Sequence, residues 1–260
     1  MNHIQVGDVA LNYTIDGNGP WLTLLHGFSQ NLHIWEPQIP RLAGAFRLLR
    51  IDLRGHGDSS APAGGYGPVE YAADVLAVLD ALDIGATHFW GTHTGAGVGL
   101  LLAAQQRERL ATLVIDGAVI PGQLEPAVDE WQARTREVAL RDGVESARQF
   151  WFDQTPFFSD TKRASEHRAL IATFSGAPWL ATSPALPVPD VNAALSTVRH
   201  RTLIVNGAND MPSFLARAAF LERTLPNARR YTVPNAGAFS AWDAPDAVTP
   251  LVAQFLEDVE

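Results

Sequence analysis

The chain has 260 residues, a net charge of −9 and no cysteine. The missing thiols exclude a disulfide framework, a thiolate metal site and a cysteine nucleophile. The spread acidic excess speaks against a nucleic-acid or anionic-membrane partner. With 47% hydrophobic and 18% charged residues, the chain can bury a sizeable core. Met1–Asn18 lacks a basic segment followed by an apolar one, and no run reaches the ~18–20 apolar residues of a membrane span. The expectation is a cytoplasmic protein with no membrane association.

In chain order, Ile4–Val6 and Val9–Ile15 flank Gly7-Asp8 and predict an opening β-hairpin. Trp21–Leu25 is a compact apolar run of the kind a buried strand presents, and it ends at His26-Gly27. The spacing of Leu32, Trp35, Ile39 and Leu42 predicts a helix over Asn31–Ala43. Phe46–Ile51 predicts a strand and Val69–Leu82 a helix. Thr87–Trp90 predicts a strand running into Gly91, Ala96–Gln106 a small-residue helix, and Leu113–Ile115 a strand stopped by Asp116-Gly117.

From Ala118 to about Val198 the alternation stops, and prolines and large aromatics gather. It returns with Thr202–Val205, Phe214–Leu225, Arg230–Val233 and Ala247–Val259. Alternating strands and helices predict an α/β fold, a mostly parallel eight-stranded sheet with helices on both faces. The interruption predicts a helical cap over the carboxyl edge of the strands, where ligands bind in open α/β sheets. The expected organisation is one domain over 1–260, with its core in 1–118 and 199–260 and the cap inserted at 119–198.

Four local signatures fall in order on this frame. Leu25-His26-Gly27-Phe28 follows a buried strand. Asp52-Leu53-Arg54-Gly55-His56-Gly57-Asp58-Ser59 forms a tight loop. Gly91-Thr92-His93-Thr94-Gly95 lies between a strand and a helix. Near the end, Asn206-Gly207-Ala208-Asn209-Asp210 follows one strand and Asn235-Ala236-Gly237-Ala238-Phe239 another. On these motifs the chain resembles the α/β-hydrolase fold superfamily along nearly its whole length, nearest to its lactonase and dehalogenase-like branches.

The resemblance implies roles residue by residue. Gly91–Gly95 matches the nucleophile elbow G-x-S-x-G except at its centre, where His93 replaces serine. Phe28 and Thr94 stand where the family takes its two oxyanion N–H groups. Asp210 stands at the acid, with Asp116 as the alternative site that some branches use. Ala238 stands where the family has its catalytic histidine. His26 and His56 fall at positions the family uses structurally.

A serine triad needs a hydroxyl, a base and an orienting acid, and only the acid is present. Three readings follow: a dead hydrolase kept as a ligand-binding receptor, a histidine at 238 replaced by alanine, or chemistry transposed to a His93–Asp210 dyad. The enzyme reading expects a small apolar or aromatic ester, lactone or enolisable carbonyl compound. Trp131, Trp151 and Trp179 in the cap, with Trp35 from the sheet side, are candidates for its wall, although aromatic rings at helical spacing are more often core. No metal-ligand spacing, Walker loop or dinucleotide fingerprint is present, so no cofactor is expected. The oligomeric state is left open, and a homodimer is compatible with the sequence.

Overall fold

The computed structural model describes residues 2–123 and 125–258. Eight strands form one sheet: β1 (Asn2–Val6), β2 (Val9–Asp16), β3 (Trp21–Leu25), β4 (Arg47–Ile51), β5 (Thr87–Thr92), β6 (Leu110–Asp116), β7 (Arg201–Gly207) and β8 (Ala228–Val233). Their order is β1-β2-β4-β3-β5-β6-β7-β8. β1 and β2 are antiparallel to their neighbours, and every pairing from β4 to β8 is parallel.

The pleat divides the core. Leu48, Trp90, Val114 and Leu203 join one apolar cluster, while their sequence neighbours Leu49, Phe89, Ile115 and Ile204 join the other. A sheet covered on both faces needs this continuous apolar content rather than strict alternation. All six residues of β5 are buried, which puts the strand leading to His93 in the middle of the molecule.

The helices, in chain order, are α1 (Ile39–Leu42), α2 (Pro68–Ala81), α3 (Thr94–Gln105), α4 (Pro126–Asp142), α5 (Val144–Gln154), α6 (Ala164–Ala172), α7 (Ala177–Leu180), α8 (Val191–Leu195), α9 (Pro212–Thr224), α10 (Ser240–Asp243) and α11 (Pro245–Glu257). The predicted end of the last helix, Val259, lies outside the described residues. Between β6 and β7 run α4 to α8 and, among the described residues, no strand. This insertion buries Trp151, Phe152, Phe157, Phe158, Phe174 and Trp179 in the same cluster as Trp90 and Leu203.

Two expectations need correction. The helix predicted over Asn31–Ala43 is a 3-10 turn over Leu32–Gln38 followed by the four-residue α1. Pro37 and Pro40 lack the N–H groups a continuous α-helix would need there. The helix predicted from Ala96 begins at Thr94, because β5 continues to Thr92 and His93 alone makes the turn.

Candidate active site

His93 joins β5 to α3 with φ 48° and ψ −107°, a conformation that an L-residue holds only when its surroundings impose it. Its N–H donates to Asp116 O at 2.8 Å, and its C=O accepts from Gly97 N at 2.9 Å. The flanking glycines leave the turn no slack. A Cβ on Gly91 would lie 2.3 Å from the Gly95 backbone, and one on Gly95 would lie 2.2 Å from Leu25 O.

The imidazole is buried. Its Nδ1 lies 3.1 Å from Thr92 Oγ1, and its Nε2 has no hydrogen-bond partner. The ring passes over Gly117, where a Cβ would meet Nε2 at 2.7 Å. Phe214 and Phe239 flank it at 5.4 and 5.0 Å between centroids. Gly117, read in the sequence only as a strand stop, is therefore the residue that gives this ring its space. Burial lowers His93 to about 4, so the ring is neutral at pH 7.

The acid side is built by β7 and β8. Asn209 N donates to Ala236 O at 2.9 Å, and a Cβ on Gly207 would strike Gly237 O at 2.1 Å. The loops bearing Asp210 and Ala238 are thus locked together, and both residues are buried. Asp210 Oδ1 accepts Met211 N–H at 2.7 Å, whereas Oδ2 is buried without a partner. Burial raises Asp210 to about 6. No direct hydrogen bond joins His93 to Asp210 among the described residues, and both His93 Nε2 and Asp210 Oδ2 are without a partner.

Asp116 is held differently. Ser240 Oγ donates to Oδ1 at 2.7 Å and Ala241 N to Oδ2 at 3.3 Å. Burial, partly offset by these bonds, raises Asp116 to about 7. The sequence reading did not single out Ser240, which is marked there only by lying two residues beyond position 238.

His26 and His56 are fully buried and bonded to backbone. His26 Nδ1 meets Gly27 O at 2.7 Å and Nε2 accepts Leu53 N–H at 3.0 Å, while His56 Nδ1 meets Arg54 O at 3.0 Å. Burial lowers them to about 4 and about 3.

A cavity of about 150 Å³ opens between the sheet edge and the insertion, a volume that takes a single six-membered ring. Gly27, Phe28, His93 and Thr94 line its floor, and Trp151, Phe157, Phe158, Phe214 and Phe239 supply aromatic walls. Of the four candidate tryptophans, only Trp151 lines it. Trp35 packs edge-on against Trp90 at 5.0 Å and faces a separate small void beside Asp116. Trp131 is half-buried under the guanidinium of Arg134. Trp179 is core, and its Nε1 donates to Gln132 Oε1 at 3.0 Å, fixing a glutamine that does reach the cavity. These three rings serve packing, as rings at helical spacing commonly do.

Among the described residues, no cluster of His, Asp, Glu or Cys has the makings of a metal site, and no helix is long and apolar enough to cross a membrane. Residues 20–151 match the model of the alpha/beta hydrolase fold family. A relative, 3-oxoadipate enol-lactonase 2 of Acinetobacter baylyi, is 32% identical over 82% of this chain and 81% of its own. The fluoroacetate dehalogenase of a Burkholderia species is 33% identical over 50% of this chain and 45% of its own. The crystal structure of a hydrolase from Pseudomonas aeruginosa superposes with a TM-score of 0.77 at 28% identity, covering 98% of this chain and 97% of that one. The chain belongs to the α/β-hydrolase fold family, a family of enzymes, and lies near its lactonase and dehalogenase branches.

Proposed function

We propose that the protein is a cofactor-independent enzyme of this family acting on a small apolar or aromatic ester, lactone or enolisable carbonyl compound. The chemistry is His/Asp acid–base catalysis without a serine nucleophile, and the insertion over 119–198 is its cap. The observation that carries this reading is the ring-sized aromatic cavity, on which His93 is the one titratable side chain among the described lining residues. An apolar enclosure with a few convergent polar groups is the usual form of a small-molecule site.

Phe28 and Thr94 border the cavity. The Thr94 N–H lies in the first turn of α3, where no intrahelical acceptor exists. In this reading the two amides hold a carbonyl oxygen as it gains charge. Position 238 is the base site, and Asp210, with one oxygen unpartnered, is the acid built to orient that base. A base there would take a proton from water or from the carbon beside the carbonyl. Neutral His93 would position the substrate or shuttle a proton. With alanine at 238, the chain as it stands is impaired.

Ala238→His tests this. Against a panel of aryl esters and lactones, with acetophenone α-hydrogen exchange in D₂O alongside, turnover is expected to rise about 10²–10⁴-fold, the range of a positioned general base. Tight ligand binding without turnover in either form would replace this reading with that of a non-catalytic receptor.

A further inference from the structure

The insertion meets the loop after β3 through consecutive side chains. Trp151 Nε1 donates to Ser29 Oγ at 2.9 Å, and Asn31 Nδ2 donates to Thr173 Oγ1 at 3.0 Å. Between them, Gln30 Nε2 lies 2.9 Å from His167 Nε2, on α6. His167 is completely buried, with its ring 4.3 Å from that of Phe239. The chemistry proposed above does not use it.

The protonation of this contact follows from its far end. Gln30 Oε1 accepts Gly27 N–H at 3.0 Å, and a backbone N–H can only donate. The Gln30 amide must therefore turn its NH₂ toward His167, whose Nε2 accepts and whose proton sits on Nδ1. Burial lowers His167 to about 3, so this neutral form persists across the working pH range.

Gly27 is thereby held at both ends. Its N–H is fixed by Gln30, and its C=O accepts from His26 Nδ1 at 2.7 Å, the donor because His26 Nε2 accepts from Leu53 N. The Gly27–Phe28 peptide is planar and trans, so its N–H, which belongs to Phe28, points opposite to that C=O. Phe28 and Gly27 both border the cavity.

We propose that His167 is a positioning residue for the oxyanion loop, making the alignment of Phe28 N–H depend, through Gln30, on the docking of helix α6. The inference rests on the reading of Phe28 as an oxyanion donor. The full-length chain is titrated calorimetrically with acetophenone and with ethylbenzene, a pair that differs in its carbonyl, while the Phe28 amide is followed by ¹⁵N–¹H NMR. Wild type is expected to favour acetophenone about tenfold, the size of one net hydrogen bond, with the Phe28 amide shifting only for acetophenone.

His167→Phe is expected to keep ethylbenzene binding and lose that preference. His167→Gln, which places an acceptor where Nε2 stood, is expected to restore it. Gln30→Met cuts the same line with His167 in place, and loss of the preference there supports the inference even where His167→Phe does not fold. Full preference in Gln30→Met, or in a folded His167→Phe, overturns it. A wild-type chain with no preference overturns the oxyanion reading and this inference with it.

Discussion

The two sides of the cavity floor are built to different standards. On the β3–β5 side, the N–H and C=O of Gly27 are both bonded, His26 uses both ring nitrogens, and Gly91 and Gly95 are packed to contact. On the β6–β8 side, Asp210 Oδ2 is buried without a partner and Ala238 beside it offers only a methyl, while His93, at the end of β5, turns an equally unpartnered Nε2 over Gly117 on that side. Unsatisfied buried polar atoms are rare and mark either strain or a function. On the function proposed above, the difference means that the machinery for receiving an oxyanion is complete while the machinery for moving a proton lacks a member. Ala238→His therefore has the largest expected effect, since it adds a group to the side that lacks one.

Packing separates the two sides next. Gly95→Ala drives a Cβ to 2.2 Å from Leu25 O, a backbone atom that cannot yield. A loss above about 3 kcal/mol, or no folded protein, is expected in denaturant unfolding. Gly117→Ala meets first the side-chain ring of His93 rather than backbone, though at φ +73°, and is expected to cost about 1–2 kcal/mol while displacing that ring. Equal costs would erase the contrast in rigidity.

Acid titration gives a third contrast. A carboxyl raised from 3.8 to about 6 by burial binds its proton more tightly in the folded chain than in the unfolded one. Its contribution to stability then falls as pH rises through the window from about 4 to 6, the reverse of an ion-paired aspartate. Asp116, raised to about 7, adds the same sign over a wider window. Asp210→Asn is expected to remove its share, gaining about 3 kcal/mol at pH 7 and little at pH 4. Ala238→His is expected to flatten the same window by giving Asp210 a cationic partner. The buried, neutral His26, His56, His93 and His167 act with the opposite sign between about pH 4 and 6.5. The test is therefore the difference between wild type and Asp210→Asn, and identical pH profiles would mean that Asp210 is already paired.

The same division governs what the sequence makes legible. The sheet is readable because strands buried on both faces leave compact apolar runs, and Trp21–Leu25 coincides with β3 to the residue. The elbow is readable because its glycines answer to backbone collisions, which depend on local geometry alone. Side-chain partners across long separations leave no such trace. Gln30 and His167 stand 137 residues apart, and nothing in the periodicity of α6 distinguishes a histidine bonded to a distant glutamine from one in a satisfied core. Trp35, Trp131 and Trp179 show the converse, since spacing records that a ring faces inward but not whether it meets a cavity or another ring.

The smallest expected effect concerns the one hydrogen bond that His93 makes through its side chain. Thr92→Val keeps the shape of the strand end and removes the hydroxyl 3.1 Å from Nδ1. A buried nitrogen left without a partner costs about 1–3 kcal/mol. Where the Thr92 hydroxyl donates to Nδ1, the ring proton already sits on Nε2, which is unpartnered with or without Thr92, and the substitution leaves Nδ1 only an idle acceptor. The expected loss is therefore about 1 kcal/mol in chemical denaturation. Nitrogen-15 spectra of the ring should show the Nε2–H tautomer and no protonation above about pH 5, since burial and not Thr92 is what lowers this group. A loss near 3 kcal/mol, or an imidazolium signal near neutrality, would show that the proton side of the cavity is held as firmly as the oxyanion side, and the contrast between them would fail.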